Sequence, residues 1–246
     1  MPLEHSFPSV ARRVEMLNER VKGRGALATL RQALSDPWVG HTALVSSFGT
    51  ESVVLLHMVS TLDRSLPILF VDTEMLFPET LAYQEELAER FRLTHVKRIQ
   101  PDRGDLLEKD ADGILHVFDP DACCALRKSA PLNGALEPFD AWITGRKRFQ
   151  GGQRRELAAF EADEHGRIKV NPLAHWRRED LSEYMENNRL PKHPLIAKGF
   201  QSLGCMPCTT PVGSGEDPRA GRWRGRAKTE CGIHFGNTPT SEGTST

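Results

Sequence analysis

The hydrophobic positions of this chain follow two rhythms, and each change of rhythm marks an expected boundary. Between Val10 and about Leu34, Val14, Leu17 and Val21 recur at helical spacing, and Leu27, Leu30 and Leu34 resume the stripe after Gly23 and Gly25. Helices that pack on a core account for this region. Short, nearly continuous apolar runs follow: Ala43–Ser47, Pro67–Thr73, His95–Ile99, Ala141–Gly145 and Ile168–Leu173 predict buried strands. Between them Ser52–Ser60, Pro78–Phe91 and about Glu179–Asn188 predict helices. The second of these opens on a proline and turns Leu81 and Leu87 inward. Strands alternating with helices predict a parallel sheet covered on both faces. From Leu190 the pattern fades. Pro191, Pro194, Gly199 and Gly204 predict an irregular path, Pro211–Glu216 a flexible linker, and the closing Gly-, Ser-, Thr- and Pro-rich stretch a disordered end.

Composition narrows the classes. With 246 residues, 39% hydrophobic and 26% charged, the chain fits one large α/β domain or two small ones. Its 32 basic and 33 acidic residues nearly cancel, so no global field draws it to nucleic acid or membranes, and any anion site must be local. The start, Met1–His5, shows no basic region leading into an apolar core, and the run Val53–Val59 is too short to span a bilayer. A cytoplasmic location is expected, where cysteines more often bind metal or react than form disulfides.

Candidate chemistry collects at three places. In Phe48-Gly49-Thr50-Glu51 a strand turns through glycine into a helix, a geometry that presents backbone N–H groups and a positive helix end to an anion. Asp72 and Thr73 close the next strand at its carboxyl end, the side on which open α/β sheets bind ligands. The stretch Arg146–Arg155 packs five cations and two glycines beyond another strand end, where it could clamp an anion or stand as a solvated loop. Four of the five cysteines form two close pairs, Cys123-Cys124 and Cys205-x-x-Cys208, about eighty residues apart. The two-residue spacing suits a metal centre. The adjacent pair suits the separate corners of an iron–sulfur cluster better than one tetrahedral zinc, while four unligated buried thiols are the plain alternative. An acidic N-cap near Asp121 opens a helix on which Cys124 and Lys128 share a face. The fifth cysteine, Cys231, follows the Arg- and Gly-rich run Arg219–Lys228.

In combination these strings resemble the assimilatory adenylyl-sulfate (APS) reductases, relatives of the phosphoadenylyl-sulfate (PAPS) reductases. The resemblance rests on Ser46–Ser52, Val71-Asp72-Thr73, Cys123–Lys128, Asn171-Pro172-Leu173 with Trp176, Leu203–Thr209, Arg219–Trp223 and Lys228–His234, in the family's order. It implies an adenine-nucleotide α-hydrolase-like, Rossmann-like fold and a [4Fe–4S] cluster on Cys123, Cys124, Cys205 and Cys208. It further implies a nucleophile at Cys231, assisted by Lys128, and a thioredoxin or glutaredoxin reductant. Substrate contacts are expected from Ser46, Phe48, Gly49, Glu51, Asp72, Thr73, Gly145, Arg148, Arg155, Arg219 and Arg222, and a homo-oligomer is expected. The division that follows is an N-terminal helical segment over 1–40, a nucleotide-binding α/β domain with the iron–sulfur site over 41–208, and a C-terminal segment over 209–246 carrying the catalytic cysteine. Two departures stand out: Glu74 where the family commonly has Gly, and Ile233 in place of Leu. A tRNA sulfur-transfer enzyme of the ATP-pyrophosphatase type is the rival enzyme, but its turn normally reads Ser-Gly-Gly-x-Asp-Ser. A zinc-stabilised binding module is the non-catalytic rival.

Overall fold

A computed structural model of the chain describes residues 8–226 together with Lys228, Glu230, Gly232 and Ile233. Ser9 caps the first helix, α1 (Val10–Val21), by accepting the N–H of Arg12, and the glycine-containing break before α2 (Ala26–Ser35) falls where the apolar stripe was interrupted. There follow β1 (Thr42–Ser46), α3 (Ser52–Leu62), β2 (Ile68–Val71), α4 (Pro78–Phe91) and β3 (Val96–Ile99). The short helices α5 (Arg103–Lys109) and α6 (Leu115–Phe118) lead to α7 (Pro120–Cys124). A single π-turn over Ala125–Ser129 then passes into α8 (Ala130–Leu136). The remaining elements are β4 (Ala141–Ile143), β5 (Phe160–Ala162), β6 (Ile168–Val170) and α9 (Arg178–Asn187).

Among the described residues six strands form one sheet in the order β3-β2-β1-β4-β6-β5, parallel except for the β5–β6 pair. Side chains alternate between its faces as the strand period requires. Leu44, Ile68, Phe70 and Ile143 join the larger core with α1, α2, α3, α4 and α9, while Ala43, Leu69 and Trp142 face a smaller core with Leu132 and Leu136 of α8. Leu87 is fully buried as expected, Leu81 only half so, and Tyr83 fills the inward position between them.

The chain runs outward from β1 to β2 and β3 on one side and takes up β4 on the other, so the order reverses between β1 and β4. In a parallel α/β sheet the strand ends at such a reversal diverge and leave a crevice. The two margins of the sheet are closed differently. At β5 the Asn18 amide of α1 donates to the Phe160 carbonyl at 2.8 Å and accepts the Phe160 N–H at 3.0 Å, as a neighbouring strand would. At β3 the exposed residues are Lys97 and Arg98.

Candidate active site

A cleft opens where β1 and β4 part. Its walls include Ser46 at the end of β1, Ser47, Gly49 and Glu51 after it, Thr144 to Lys147 after β4, Ser202 to Gly204, and the C-terminal residues Arg219, Arg222, Trp223, Glu230 and Ile233. The β1 turn is tight. Phe48 sits in the left-handed region at φ 48°, its ring buried against Phe70, and its N–H donates to Ser46 Oγ at 3.2 Å. The Gly49 N–H donates to Ser52 Oγ at 3.0 Å. Two of the turn amides expected to meet an anion are thus satisfied by serine hydroxyls, and the positive charge of the cleft comes from side chains.

Those side chains are held by neighbours. Lys147, buried, donates to Glu51 Oε2 at 2.6 Å; burial pushes its ammonium pKa down and the Glu51 carboxylate opposes that shift. Arg146 reaches Glu161 at 2.5 Å and Asn171 Oδ1 at 3.1 Å. Arg154 meets Glu230 at 2.6 Å, and Arg222 donates to the Leu203 carbonyl at 2.8 Å while lying 4.3 Å over Trp223. The close approach of Arg222 explains Gly204: a β-carbon there would sit 2.3 Å from the guanidinium.

Beside the cleft lies a second, much smaller cavity. All four paired cysteines line it, with Lys128, Arg127 and Trp223 among their neighbours, and none of the four is in a disulfide. Asp119, rather than Asp121, caps the cysteine helix by accepting the N–H groups of Asp121 and Ala122. Arg127, buried, fixes this helix to the sheet. It grips Asp110 at 2.7 Å and 2.9 Å and donates to the Thr73 carbonyl at 3.0 Å. The two thiols at the centre differ. Burial and the neighbouring Cys124 push Cys123 up to about 11. Burial also works to raise Cys205, but the Lys128 charge, with hydrogen bonds from Thr73 and Lys128, brings it down overall. Among the described residues no three His, Cys, Asp or Glu side chains are set to clasp a single metal ion.

The C-terminal segment is stitched to the second cysteine pair. Thr209 and Arg222 form an antiparallel bridge, the Thr210 N–H donates to the Gly221 carbonyl at 2.8 Å, and the Trp223 N–H donates to the Cys208 carbonyl at 3.1 Å. Gly221 permits this approach: a β-carbon would lie 2.0 Å from the Thr210 carbonyl oxygen.

Of the residues singled out in the sequence, Ser46, Gly49, Glu51, Gly145, Arg219 and Arg222 line the cleft, and Lys128 lines both cavities. Phe48 is core. Asp72 does not line the cleft; its carboxylate accepts Arg98, Gln100 and the Glu74 N–H. Thr73 meets Cys205 Sγ at 3.2 Å. Arg148 and Arg155 are exposed outside the cleft, where Arg146, Lys147 and Arg154 of the same loop take its walls. Charge counting marks the loop but not which cations face inward; that depends on the turns at Gly151 and Gly152, both at positive φ. Cys231 lies outside the described residues, as do most of the residues after it.

Residues 41–211 match the family model described as the phosphoadenosine phosphosulfate reductase domain. The chain belongs to this family. A relative from Mesorhizobium japonicum, named adenosine 5'-phosphosulfate reductase, is 50% identical over 81% of this chain and 78% of its own length. One from Gloeobacter violaceus, named phosphoadenosine 5'-phosphosulfate reductase, is 42% identical over 78% of this chain and 81% of its own. The family fold is matched in the crystal structure of a PAPS reductase from Candida auris, at TM-score 0.67 and 24% identity, covering 80% of this chain and 96% of that one. The mostly parallel sheet with helices on both faces is what the strand pattern predicted, and its Rossmann-like class is what the resemblance implied.

Proposed function

We propose that this protein is an assimilatory APS reductase, which converts adenosine 5'-phosphosulfate to sulfite and AMP with Cys231 as nucleophile and a thioredoxin-type dithiol as reductant. The observation that carries the reading is the position of Lys128: one buried ammonium lines both the cationic cleft and the cysteine cavity. The Mesorhizobium name supports APS as substrate.

The cleft lies at the sheet's reversal, where the family fold takes a nucleotide, and its side-chain cations are suited to a phosphosulfate. The Cys231 thiolate attacks the sulfur of the sulfate group, the bond from sulfur to the bridging phosphate oxygen breaks, and AMP leaves as a stable anion. The product on the protein is an S-sulfocysteine. A dithiol thiolate then attacks the Cys231 sulfur and sulfite departs. The second thiol resolves the mixed disulfide, so the dithiol is oxidised by two electrons and Cys231 returns as a thiol. Attack of one anion on another needs its repulsion offset, which is the part given to Lys128, Arg219 and Arg222.

The cysteine cavity fits the cluster the family implies. Four soft donors on two segments line it, and the buried indole N–H of Trp223, which lines it too, has no hydrogen-bond partner. When bound by Cys123, Cys124, Cys205 and Cys208, a [4Fe–4S] group would supply fixed charge beside Lys128 and tie the two segments together.

The test is sulfite release from APS and, separately, from PAPS with reduced thioredoxin, alongside iron and sulfide analysis. Faster release from APS, loss of turnover in Cys231→Ala, and a labelled sulfonate recovered on Cys231 are expected. An alanine variant as fast as the parent would overturn the mechanism. Faster turnover of PAPS would reassign the substrate to that of the Gloeobacter relative's name.

A further inference from the structure

Among the described residues six large apolar side chains stand exposed, and they are not scattered. Leu27 is on α2, but the other five are Leu107 on α5, Ile114, Val117 and Phe118 at α6, and Met206 between the second pair of cysteines. Met75 joins the last of these to α6. Its carbonyl accepts the Met206 N–H at 2.8 Å, and a β-carbon on Gly113, the residue before Ile114, would lie 3.9 Å from its methyl group. Ile114, Val117, Phe118 and Met206 thus form one apolar face over the cysteine cavity, which His116 of α6 lines from within.

Position and size say what covers this face. The C-terminal segment is fastened beside it: Arg226 donates to the His116 carbonyl, and Lys228 pairs with Asp121 in the first turn of α7. Cys231 is three residues beyond Lys228, so at most about 11 Å of extended chain separates them. A protein that brings a sulfur to Cys231 therefore comes within reach of α6. None of the five apolar residues lines the cleft, so a partner can rest on them while substrate is bound. The four that form the face expose on the order of 400 Å², the size of a functional patch and well short of the roughly 800 Å² per partner of a standard stable interface. That is the scale of a transient redox encounter and not of a permanent dimer.

We propose that the α6 face, centred on Phe118 and completed by Ile114, Val117 and Met206, is the docking surface for the protein dithiol that reduces the sulfonated Cys231. The inference rests on the function proposed above and adds the place where the reductant sits. The step it serves is attack of the partner's thiolate on the Cys231 sulfur, which expels sulfite and leaves a mixed disulfide for the partner's second thiol to resolve. An apolar contact at this point excludes water and holds the two sulfurs together without a permanent complex.

The experiment uses the full chain with its iron incorporated. Sulfite release from saturating APS is measured against the concentration of reduced thioredoxin in the parent and in Phe118→Asp. It is measured again with dithiothreitol, a small dithiol that needs no docking surface. Phe118 is 78% exposed, so its replacement leaves the core intact. The expected result is a fall of about tenfold or more in kcat/KM for thioredoxin, the loss of one aromatic anchor, with the KM for APS, the dithiothreitol rate and the iron content unchanged. Phe118→Leu, which keeps the face apolar, is expected to retain most of the thioredoxin rate. An unchanged kcat/KM for thioredoxin in Phe118→Asp overturns the proposal, and so does an equal loss with dithiothreitol, which marks a structural residue. A parent that light scattering shows to be an oligomer, and that Phe118→Asp dissociates, gives the face to a second copy and overturns it likewise. A parent that releases no sulfite from APS with either reductant overturns the functional reading itself, and this surface with it.

Discussion

Glu74 shows what one residue's backbone can reveal. It stands in the left-handed region at φ 59°, directly after the Asp-Thr pair that ends β2, where the family commonly has glycine. A non-glycine residue there costs about 1–2 kcal/mol in strain, against roughly 0.5–1 kcal/mol of extra chain entropy lost when glycine is fixed. Strain outweighs entropy, and the Glu74–Arg103 pair, at 4.0 Å and largely exposed on the arginine side, offsets little of it. Glu74→Gly is therefore expected to stabilise the fold by about 0.5–1 kcal/mol, seen as a rise of roughly 1–4 °C in melting temperature. The same scale marks the limit of reading residues from a string. The cysteine pairs and Lys128 were legible because their spacing is chemically unusual. Arg154 was not, because Arg155 beside it has the same side chain, and only the 3₁₀ turn over Gly152–Arg154 decides which of the two turns inward.

At the scale of elements, the long helices and the five parallel strands were legible from apolar period and turn residues. The β5 strand and the helices α5 and α6 were not. β5 is three residues long and pairs at the sheet margin, and Leu107, Val117 and Phe118 of α5 and α6 are exposed, so neither region carries a sustained burial pattern. The π-turn was also hidden. An α-helix puts residues four apart on one face; here the helix widens over Ala125–Ser129, with the Ala130 N–H reaching back to the Ala125 carbonyl, and Lys128 still borders the cysteine cavity. The ladder between Thr209-Thr210 and Gly221-Arg222 is the element that carries the C-terminal segment past Cys208. Its contact at Gly221 leaves no room for a methyl group, and the obstacle is a backbone carbonyl that cannot swing away. Gly221→Ala is expected to separate the two strands and destabilise the protein by about 1–3 kcal/mol. Limited proteolysis should then cut first between Val212 and Arg226, while Gly134→Ala in α8, which needs no left-handed backbone and meets nothing within 4 Å, should leave the cutting pattern alone.

For the molecule as a whole, acid stability turns on the packing of the 190s against α4. His193 is buried between them: its Nδ1 accepts the Leu195 N–H at 3.2 Å, so Nε2 carries the proton toward Thr80 Oγ1, also at 3.2 Å. Burial lowers its pKa to about 4. The unfolded chain therefore binds this proton first as pH falls below about 6.5, and stability present at neutral pH is lost between there and about 4. The loss between pH 7 and pH 5 is on the order of 2 kcal/mol. Denaturant titrations at the two pH values should show that difference in the parent and a flatter dependence in His193→Gln, which cannot titrate. A parent no more acid-sensitive than the variant would refute the assignment.

The sheet's two margins also constrain how copies of this protein can associate. One side-chain amide occupies the backbone groups of Phe160 on one margin, and Lys97 and Arg98 charge the other. Neither presents a bare template for cross-β growth. Copies of this protein that associate are therefore expected to meet through helix and loop surfaces and not by extending the sheet.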